Sequence, residues 1–399
     1  MRNFCRLKAV KWSIKLNKNN QTFKPRIAVV LVGDTANEPD ARAKYCDFLT
    51  AVDKQFSVVE SYNAKLRGWP KFVSAILSIH PNKTRWKQRF RKNEFSFSAS
   101  SKHVANHLNS LGDQFDVVLQ LGALFNARWA NLKKPYIIYT DYTAMLSAKK
   151  PEAGRSPFTD KQRERWFALE RHAYEQATQI CTRSQYVRAS IINDYGIAPK
   201  RVTVIGGGVN FASLPEPHPR NDTRPPTALF IGRDFYRKGG DVLLQAFTRV
   251  RAQLPESKLL LLTRDTIPDN FSLEGVELVE PTWDREGIAA LYRRADLLVL
   301  PSRLETWGDV LLEAMAFGLP CIGVLGEAME EIIEDGVTGL LTPAEDVDAL
   351  ATAMVDLLGD IQKCQTWGSV ARQQIEQQYT WDHVIDRLAP IINESVGLY

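Results

Sequence analysis

The chain has 399 residues, of which 44% are hydrophobic and 24% are charged, and its net charge at pH 7 is +5. This length suffices for two domains of ordinary size, and the small positive charge argues against a nucleic-acid-binding protein. The five cysteines are widely spaced, which predicts free thiols in a reducing compartment. No apolar stretch is long enough to span a membrane, and the N-terminus lacks the apolar centre of a secretory signal, so we expect a cytoplasmic protein.

The N-terminal part of the chain alternates between strand and helix patterns. Residues 1–25 are basic and contain no acid, which predicts a tail. Within residues 26–212, apolar and β-branched runs that end at Gly or polar residues predict strands at 26–33, 115–122, 135–141 and 201–205. Helical patterns occupy 160–180 and 184–195. This alternation is typical of a parallel, doubly wound sheet.

The C-terminal part repeats the same organisation. A Pro-rich segment at 213–226 cannot form a regular element and is the predicted linker. A second alternating set follows over 227–380, with strands predicted at 227–232, 258–263, 296–302 and 321–325, and residues 381–399 contain a terminal helix. The predicted fold class is therefore α/β, with two Rossmann-like domains of doubly wound parallel sheet. Two linked domains imply a cleft between them, which is the usual place for a ligand.

The segment from Pro301 to Pro320 contains two glutamates at the predicted ligand edge of the second sheet. Glu305 lies in the turn after a strand, and Glu313 lies on the helix that follows. The start of that helix, at Val310 and Leu311, is expected to offer free backbone N–H groups to a phosphate. Ionised carboxylates suit sugar hydroxyls. The pattern indicates a ligand that is part diphosphate and part sugar.

A group of basic residues follows the first strand of the second domain. Gly232 allows a tight turn, and Arg233 and Lys238 bracket a short loop before a helix, so these two cations could neutralise a diphosphate. Arg237 is an alternative to Lys238 in that role. A carboxylate that faced the diphosphate would repel it, so Asp309 is predicted to be a helix N-cap that points away.

The segment 301–320 resembles the signature of the retaining family 4 glycosyltransferases, also called glycosyl transferases group 1. Both patterns have Pro-Ser, a Glu, seven residues, a second Glu, Ala-Met-Ala, a Gly and a Pro. The resemblance implies the GT-B fold, in which two Rossmann-like domains face a cleft. It also implies a hexosyltransferase-type enzyme that moves a sugar from a nucleotide-diphosphate sugar to a hydroxyl acceptor, with retention and without a metal or another cofactor.

The resemblance assigns roles to the matching positions of this chain. It implies that Glu305 contacts the transferred sugar and that Glu313 contacts the ribose, while Arg233 and Lys238 hold the diphosphate. The predicted catalytic residues are these two cations, Glu305 and Asp141 of the first domain. The predicted donor-binding residues are Glu313, Gly33, Gly232, Thr306, Trp307, Gly308, Val310 and Leu311.

The acceptor side departs from the family pattern. Many members have a His-Asp pair where this chain has the sequence Tyr-Thr-Asp-Tyr-Thr at 139–143. Because no His is present, Asp141 or Tyr142 is expected to fill the space near the sugar. Asp141 could accept hydrogen bonds from hydroxyl groups, or it could only cap a turn. The acceptor hydroxyl could belong to a glycan or polysaccharide, a lipid-linked molecule or a small molecule.

Residues 83–92 form a second basic cluster, in which Trp86 and Phe90 lie four residues apart among Lys and Arg. This pattern suits an anionic membrane surface or a lipid-linked acceptor, so peripheral contact with the inner membrane face is one interpretation. A solvated basic loop that packs two aromatic rings on its own domain explains the pattern equally well.

No metal site is expected, and two alternative functions remain open. His103 and His107 have the spacing of a zinc pair but no third ligand, and Asp346 of the Asp-Val-Asp at 346–348 is predicted to cap a helix. The missing first-domain His favours a non-catalytic module that binds nucleotide sugar or glycan, whereas the complete set of Glu305, Glu313, Arg233 and Lys238 argues against it. A sugar phosphorylase or a nucleotide-sugar epimerase is the rival enzyme, although a phosphorylase needs a pyridoxal-phosphate lysine, for which no clear candidate is found.

Overall fold

The structure is a computed structural model that describes residues 24–129, 132–153, 155–156, 158–216, 220 and 223–398. The predicted basic tail lies outside these residues, apart from Lys24 and Pro25. The described part contains two sheets of six strands each, in which all neighbouring strands are parallel. None of the helices in this part of the chain has the length and apolar character to cross a membrane.

The first sheet has central strands rich in Val, Ile and Leu that are buried on both faces, as parallel strands covered by helices are. Its strands are β1 (Arg26–Leu31), β2 (Ser57–Asn63), β3 (Val117–Leu121), β4 (Tyr136–Thr140), β5 (Gln179–Thr182) and β6 (Val202–Val204). They lie in the order β2-β1-β3-β4-β5-β6. The helices of this domain are α1 (Pro39–Gln55), α2 (Gly68–Leu77), α3 (Lys83–Arg91), α4 (Glu94–Leu111), α5 (Ala144–Lys149), α6 (Asp160–Gln176) and α7 (Gln185–Asn193).

The second sheet has the same construction. Its strands are β7 (Thr227–Ile231), β8 (Lys258–Leu262), β9 (Val276–Val279), β10 (Leu297–Val299), β11 (Cys321–Val324) and β12 (Gly339–Thr342). They lie in the order β12-β11-β10-β7-β8-β9. The helices that follow these strands are α8 (Gly240–Gln253), α9 (Arg285–Arg294), α10 (Asp309–Ala316), α11 (Val347–Leu358), α12 (Ile361–Gln378) and α13 (Trp381–Ser395).

Each sheet has one point at which the strand order changes direction. This point lies between β1 and β3 in the first sheet and between β7 and β10 in the second. Doubly wound folds bind their ligands outside the carboxyl ends of the strands at such a point. The loops after β1, β7 and β10 are therefore the expected site, and they contain Gly33, Arg233 and Glu305 respectively.

Two glycines shape the loops at the switch point of the second sheet. Gly239 precedes α8 with φ of 72°, and a Cβ atom there would lie 1.9 Å from the carbonyl oxygen of Pro301. Gly308 precedes α10 with φ of 107°. Residues other than glycine rarely adopt such positive φ angles. Glycine at these two positions therefore allows the loops after β7 and β10 to approach each other closely.

The terminal helix α13 returns to the first domain. Its residues Trp381 and Leu388 pack with Ile27 and Phe48 on one face of the first sheet, and the rings of Phe48 and Trp381 are 5.1 Å apart. The predicted linker contains no helix or strand in its described positions, which are 213–216, 220 and 223–226. The chain therefore crosses between the domains twice, once before β7 and once before α13.

The predicted fold class, α/β with two Rossmann-like parallel sheets, is confirmed. The predicted helix at 160–180 is too long, because it ends at Gln176 and β5 begins at Gln179. The sequence pattern also fails to predict β2, β5, β9 and β12. The four cysteines that the structure describes, Cys46, Cys181, Cys321 and Cys364, are not joined in disulfides.

Candidate active site

A cavity of about 420 Å³ lies between the two domains at their switch points. The first domain contributes Val32 and Lys44 to its wall, and the second contributes Gly232, Val310 and Glu313. Eight of the lining residues are basic and four are acidic. The volume is that of a small-molecule site, and the excess of positive charge suits an anionic ligand.

Lys238 lines this cavity and forms a largely buried ion pair with Glu305, which lies behind the cavity wall. They follow β7 and β10, so adjacent strand ends bring together two residues that are 67 positions apart. Burial lowers the pKa of Lys238. Burial raises the pKa of Glu305, but the attraction of Lys238 and Arg237 outweighs it and leaves that pKa below its ordinary value. The pair therefore holds a carboxylate and an ammonium group side by side where water is scarce.

Glu327 fixes the position of Glu305. Its buried carboxylate accepts a hydrogen bond from the backbone N–H of Glu305 and forms an ion pair with Lys150 of the first domain. Only 1% of the Glu327 side chain is exposed. The loop that carries Glu305 is thus tied to the first domain through two charged residues.

Arg237 also lines the cavity, but its guanidinium forms hydrogen bonds to other residues of the protein. Nε donates to Asp234 at 3.0 Å, and Nη1 donates to the carbonyl oxygen of Leu304 at 3.0 Å. The first bond lies within the loop after β7, and the second joins that loop to the loop after β10. Lys238 is the residue of the two whose terminal nitrogen reaches Glu305.

Arg233 lies on the cavity wall beside an aromatic ring. Its guanidinium carbon is 4.9 Å from the centre of the Trp283 ring, and that of Arg264 is 5.1 Å from the same ring. Both contacts are within the range of cation–π attraction. Burial and the neighbouring charge of Arg264 lower the pKa of Arg233. Two cations and an indole therefore form one side of the cavity.

Glu313, on α10, also lines the cavity. Tyr292 donates to its Oε2 at 2.9 Å, and Arg285 donates to its Oε1 at 3.1 Å. Burial raises the pKa of Glu313, and both partners oppose that effect because they favour the ionised form. The side chain is buried and directed to the cavity, as a residue that receives hydroxyl groups would be.

The start of α10 differs from the prediction in two respects. Gly308 is the N-cap and Asp309 is the first helical residue, so the predicted N-cap at Asp309 is wrong. The Asp309 carboxylate pairs instead with Arg183 of the first domain at 2.8 Å. The N–H of Leu311 is not free, because it donates to the carbonyl oxygen of Gly308 at 2.9 Å. Val310 lines the cavity.

The side chains of three predicted donor-binding residues lie away from the cavity. The Thr306 carbonyl accepts a hydrogen bond from Ser184 of the first domain at 2.9 Å. Trp307 and Leu311 are buried in the hydrophobic core of the second domain. Any contact of Leu311 with a donor would involve its backbone, because its side chain has no exposed surface.

Two of the three predicted glycines, Gly232 and Gly33, stand close to residues of the site. A Cβ atom at Gly232 would lie 2.9 Å from Cβ of Lys238, so a larger residue would displace that side chain. Gly33 has φ of 146°, and a Cβ atom there would lie 2.8 Å from Cβ of Ala41, which lines the cavity. Both positions require glycine for close packing.

Asp141 forms an ion pair with Lys44, whose Nζ is 2.8 Å from Oδ2. Burial raises the pKa of Asp141, but Lys44 and Arg183 outweigh it and hold the pKa well below its usual range. Lys44 lines the cavity, whereas Asp141 lies behind it. The hydroxyl of Tyr142 donates to Ser147 at 2.6 Å and accepts from Lys92 at 2.9 Å. Of the two alternatives, Asp141 is the one connected to the cavity.

The candidate metal ligands have other roles. Asp346 caps α11 by accepting the N–H of Ala349 at 2.9 Å, as predicted. The His107 ring stacks on Tyr62 with ring centres 3.9 Å apart. Among the residues that the structure describes, no group of three or more His, Cys, Asp or Glu side chains is arranged to hold a metal ion.

The cavity residues that the sequence-based predictions missed include Lys44, Arg264, Trp283 and Arg285. Arg264 follows β8 closely, so the rule that ligand-binding residues follow parallel strands could have identified it. Arg285 begins α9 in the second domain and Lys44 lies on α1 of the first, and neither position has a local pattern that indicates a site.

The fold and the cavity define a two-domain α/β protein of the GT-B class. Residues 225–360 match the family described as Glycosyl transferases group 1, and residues 62–213 match Glycosyltransferase Family 4. These two matches lie in the second and the first domain respectively. The chain belongs to the glycosyltransferases of the family 4 type.

Individual relatives agree with this assignment. The chain is 30% identical over 236 residues to glycogen synthase from Mycobacterium tuberculosis, and this alignment covers 56% of the chain and 56% of that protein. The chain thus spans little more than half the length of this relative. Sucrose-phosphate synthase from Thermosynechococcus elongatus has a TM-score of 0.67 at 18% identity and covers 94% of this chain and 100% of its own. HepE from Anabaena, in complex with UDP and glucose, has a TM-score of 0.61 at 16% identity, and the match covers 92% of this chain and 99% of HepE. The two solved structures share the fold.

Proposed function

We propose that this protein is a retaining glycosyltransferase that moves a sugar from a nucleotide-diphosphate sugar to a hydroxyl acceptor, without a metal or another cofactor. The observation that supports it best is the position of Arg233, Lys238 and Glu313 on the wall of one cavity between the domains, with Glu305 paired to Lys238 behind that wall. Cations suit a diphosphate, and buried carboxylates suit hydroxyl groups. The glycogen synthase relative and the complex of HepE with UDP and glucose agree with a donor of this kind.

In this proposal, residues of the second domain contact the ribose, the diphosphate and the sugar of the donor. Glu313 accepts hydrogen bonds from the ribose hydroxyls, and Arg233 and Lys238 neutralise the diphosphate. Glu305 accepts hydrogen bonds from the sugar while it remains paired with Lys238. Glu327 holds the backbone N–H of Glu305, which restrains the loop that carries this carboxylate.

The reaction breaks the bond between the anomeric carbon and the diphosphate oxygen, which leaves with the bonding electrons. The acceptor hydroxyl oxygen forms the new bond to the anomeric carbon on the same face, and its proton passes to an oxygen of the departing phosphate. No nucleophile of the protein is assigned. The leaving diphosphate gains negative charge in the transition state, and fixed positive charges at that position contribute about 2–4 kcal/mol each to catalysis.

The first domain supplies the acceptor side. Lys44 reaches the cavity, and its ion pair keeps Asp141 ionised. Asp141 could then accept a hydrogen bond from an acceptor hydroxyl if Lys44 shifts, or it could act only by orienting Lys44. Either role differs from that of the His that many family members have here.

The test is to incubate the protein with UDP-, GDP- and ADP-sugars and to measure nucleoside diphosphate release. We expect release from one of these donors. Lys238→Ala should lower kcat by about 100-fold or more and change donor affinity less, because this cation acts on charge that develops in the transition state. Lys258→Ala, at an exposed lysine that begins β8, is the matched control and should have the activity of the unchanged protein.

Three further measurements distinguish this function from its alternatives. Retention predicts that the product has the anomeric configuration of the donor, as seen by NMR. Metal independence predicts an unchanged rate in EDTA. Binding of a donor without release of diphosphate, across all the donors, would contradict the proposal and favour a non-catalytic binding module.

A further inference from the structure

The five most exposed large apolar side chains among the described residues lie together within residues 69–79. They are between 63% and 70% exposed, and they are Trp69, Phe72, Ile76, Leu77 and Ile79. They belong to α2 and to the turn that follows it. Single exposed apolar residues are ordinary on protein surfaces, but a contiguous group marks an interaction site.

Helix α2 directs its small polar side chains into the protein. Ser74 and Ser78 are buried, and Asn93 at the start of α4 donates to both hydroxyl groups at 3.0 and 3.2 Å. Ser74 in turn donates to the carbonyl oxygen of Phe90 at 3.1 Å. A surface helix of a globular protein normally buries its apolar side, so the orientation of α2 is the reverse of the usual one.

Helix α3 lies beside α2 and is strongly basic. The two helices are joined by a hydrogen bond from Nε1 of Trp86 to the carbonyl oxygen of Ala75 at 3.0 Å. Residues 61–93 contain nine Lys or Arg and no Asp or Glu. An apolar surface bordered mainly by cations complements a bilayer, in which hydrocarbon lies beneath anionic headgroups.

We propose that α2 and α3 bind the surface of a membrane that contains anionic lipids. We call this surface the docking face and define it by the apolar residues Trp69, Phe72, Ile76, Leu77 and Ile79 with the exposed cations Lys83, Arg85 and Lys87. The apolar side chains enter the boundary between headgroups and hydrocarbon, and the cations pair with headgroup phosphates. A soluble polyanion would satisfy the cations but would leave the apolar residues in water.

The docking face lies next to the acceptor side of the cavity. A second cavity of about 290 Å³ is lined by Lys71 of α2 and by Phe90 and Arg91 of α3. It shares four lining residues with the interdomain cavity, namely Val32, Glu38, Lys65 and Arg91. Docking would therefore bring the acceptor entrance close to the membrane, which favours a lipid-linked acceptor. This last consequence depends on the proposed function, whereas docking itself does not.

The experiment is flotation of the full chain with vesicles of phosphatidylcholine alone or mixed with phosphatidylglycerol. We expect flotation with the mixed vesicles and little with the neutral ones. Raising the salt from about 0.1 M to about 1 M should release much of the protein, because the screening length falls from about 10 Å to about 3 Å. Binding that is equal for both vesicle types would overturn the proposal.

The matched variants replace exposed apolar residues by Gln, which preserves helix propensity. The docking variant is Phe72→Gln with Ile76→Gln and Ile79→Gln, and the control is Leu273→Gln with Leu278→Gln and Val370→Gln, at exposed positions of the second domain. The docking variant should partition about tenfold or more weakly, and the control should bind as the unchanged protein does. Equal loss in both variants, or none in the docking variant, would contradict the docking face. Thermal melting checks that each variant folds.

Other occupants of this face give distinct results. If size-exclusion chromatography shows a dimer that the docking variant converts to a monomer, the face is an interface between two copies and the proposal fails. Binding to heparin but not to vesicles would also overturn it. Flotation without nucleoside diphosphate release from any donor would leave membrane docking supported and would refute only the proposed catalysis.

Discussion

Glu313 is held by two partners that leave lone pairs available for a third. Tyr292 reaches one carboxylate oxygen from the core, and Arg285 reaches the other from the cavity. Each oxygen can accept more than one hydrogen bond, so the two ribose hydroxyls of a nucleotide could be received without loss of either partner. The buried carboxylate is thus oriented before a ligand arrives.

This arrangement predicts that Glu313→Gln weakens nucleoside diphosphate binding by about tenfold or more, because a hydrogen bond to a charged acceptor contributes about 1.5–3 kcal/mol. Isothermal calorimetry with UDP, GDP and ADP measures the effect. Glu286→Gln, at an exposed position on α9, is the control and should bind with unchanged affinity. Unaltered binding by Glu313→Gln would refute the ribose assignment.

The sequence was sufficient to predict that Lys238, Glu305 and Glu313 lie at the same edge of the second sheet. Each of them follows a strand of that sheet, and adjacent parallel strands end at the same edge. Other pairs depend on tertiary packing, such as Lys44 with Asp141, which are 97 positions apart. No local pattern indicates that α1 would present a lysine to the end of β4.

At the scale of elements, α6 holds the start of α5 through a buried carboxylate. Glu170 accepts the N–H of Ala144 at 3.1 Å and hydrogen bonds from the hydroxyls of Tyr174 and Tyr195. Burial raises its pKa to about 7, although these donors and the charge of Lys92 act in the opposite direction. Helix α5 follows the Asp141 loop directly, so this carboxylate supports the acceptor side.

A pKa that is higher in the folded protein than in the unfolded chain makes stability fall as pH rises. The contribution of Glu170 is full below its ordinary pKa of 4.5 and is lost as pH passes about 7. Glu170→Gln removes this titration, so its stability relative to the unchanged protein should increase from about pH 5 to about pH 8, by up to about 3 kcal/mol. Thermal unfolding across this range measures the difference. Glu164→Gln, exposed on the same helix, should give a profile parallel to that of the unchanged protein, and the same result for Glu170→Gln would contradict the argument.

Central strands were predictable because burial on both faces requires continuous apolar residues, as in β1 and β3. The edge strands β2 and β9 are partly exposed and contain Ser, Glu and Asn among their apolar residues. Their pairing is determined by the neighbouring strand rather than by their own composition. Strand β5 has only four residues, too few for a periodic pattern to separate it from the helix before it.

At the scale of the whole molecule, the chain at the start of α7 in the first domain contacts two segments of the second domain, the turn at Ala328–Glu331 and the start of α10. The carboxylate of Glu331 accepts the N–H groups of Gln185 and Tyr186 at 2.7 and 2.8 Å. Arg183, just before α7, pairs with Asp309 at 2.8 Å. A helix N-terminus favours anions, so the Glu331 carboxylate of the second domain stabilises the start of α7. The first domain in turn supplies Arg183, which neutralises Asp309 of the second domain.

The Arg183–Asp309 pair predicts a coupling between domain contact and donor binding, if the diphosphate lies where we propose. Asp309 lines the cavity at the start of α10, and Arg183 neutralises it. Arg183→Met leaves that carboxylate unpaired beside the diphosphate and should weaken nucleoside diphosphate binding by about tenfold. The double variant Arg183→Met with Asp309→Asn should recover most of this loss, because the repelling charge is gone.

Calorimetry on the two single variants and the double variant gives the coupling directly. Arg293→Met, which breaks an exposed pair with Glu286 on α9, is the control and should leave affinity unchanged. If the double variant binds as weakly as Arg183→Met alone, repulsion by Asp309 is not the cause, and Arg183 acts by holding the domains together. That outcome would mean that Arg183 supports binding by stabilising the contact between the domains. Recovery of affinity in the double variant would mean that Arg183 supports binding by neutralising Asp309.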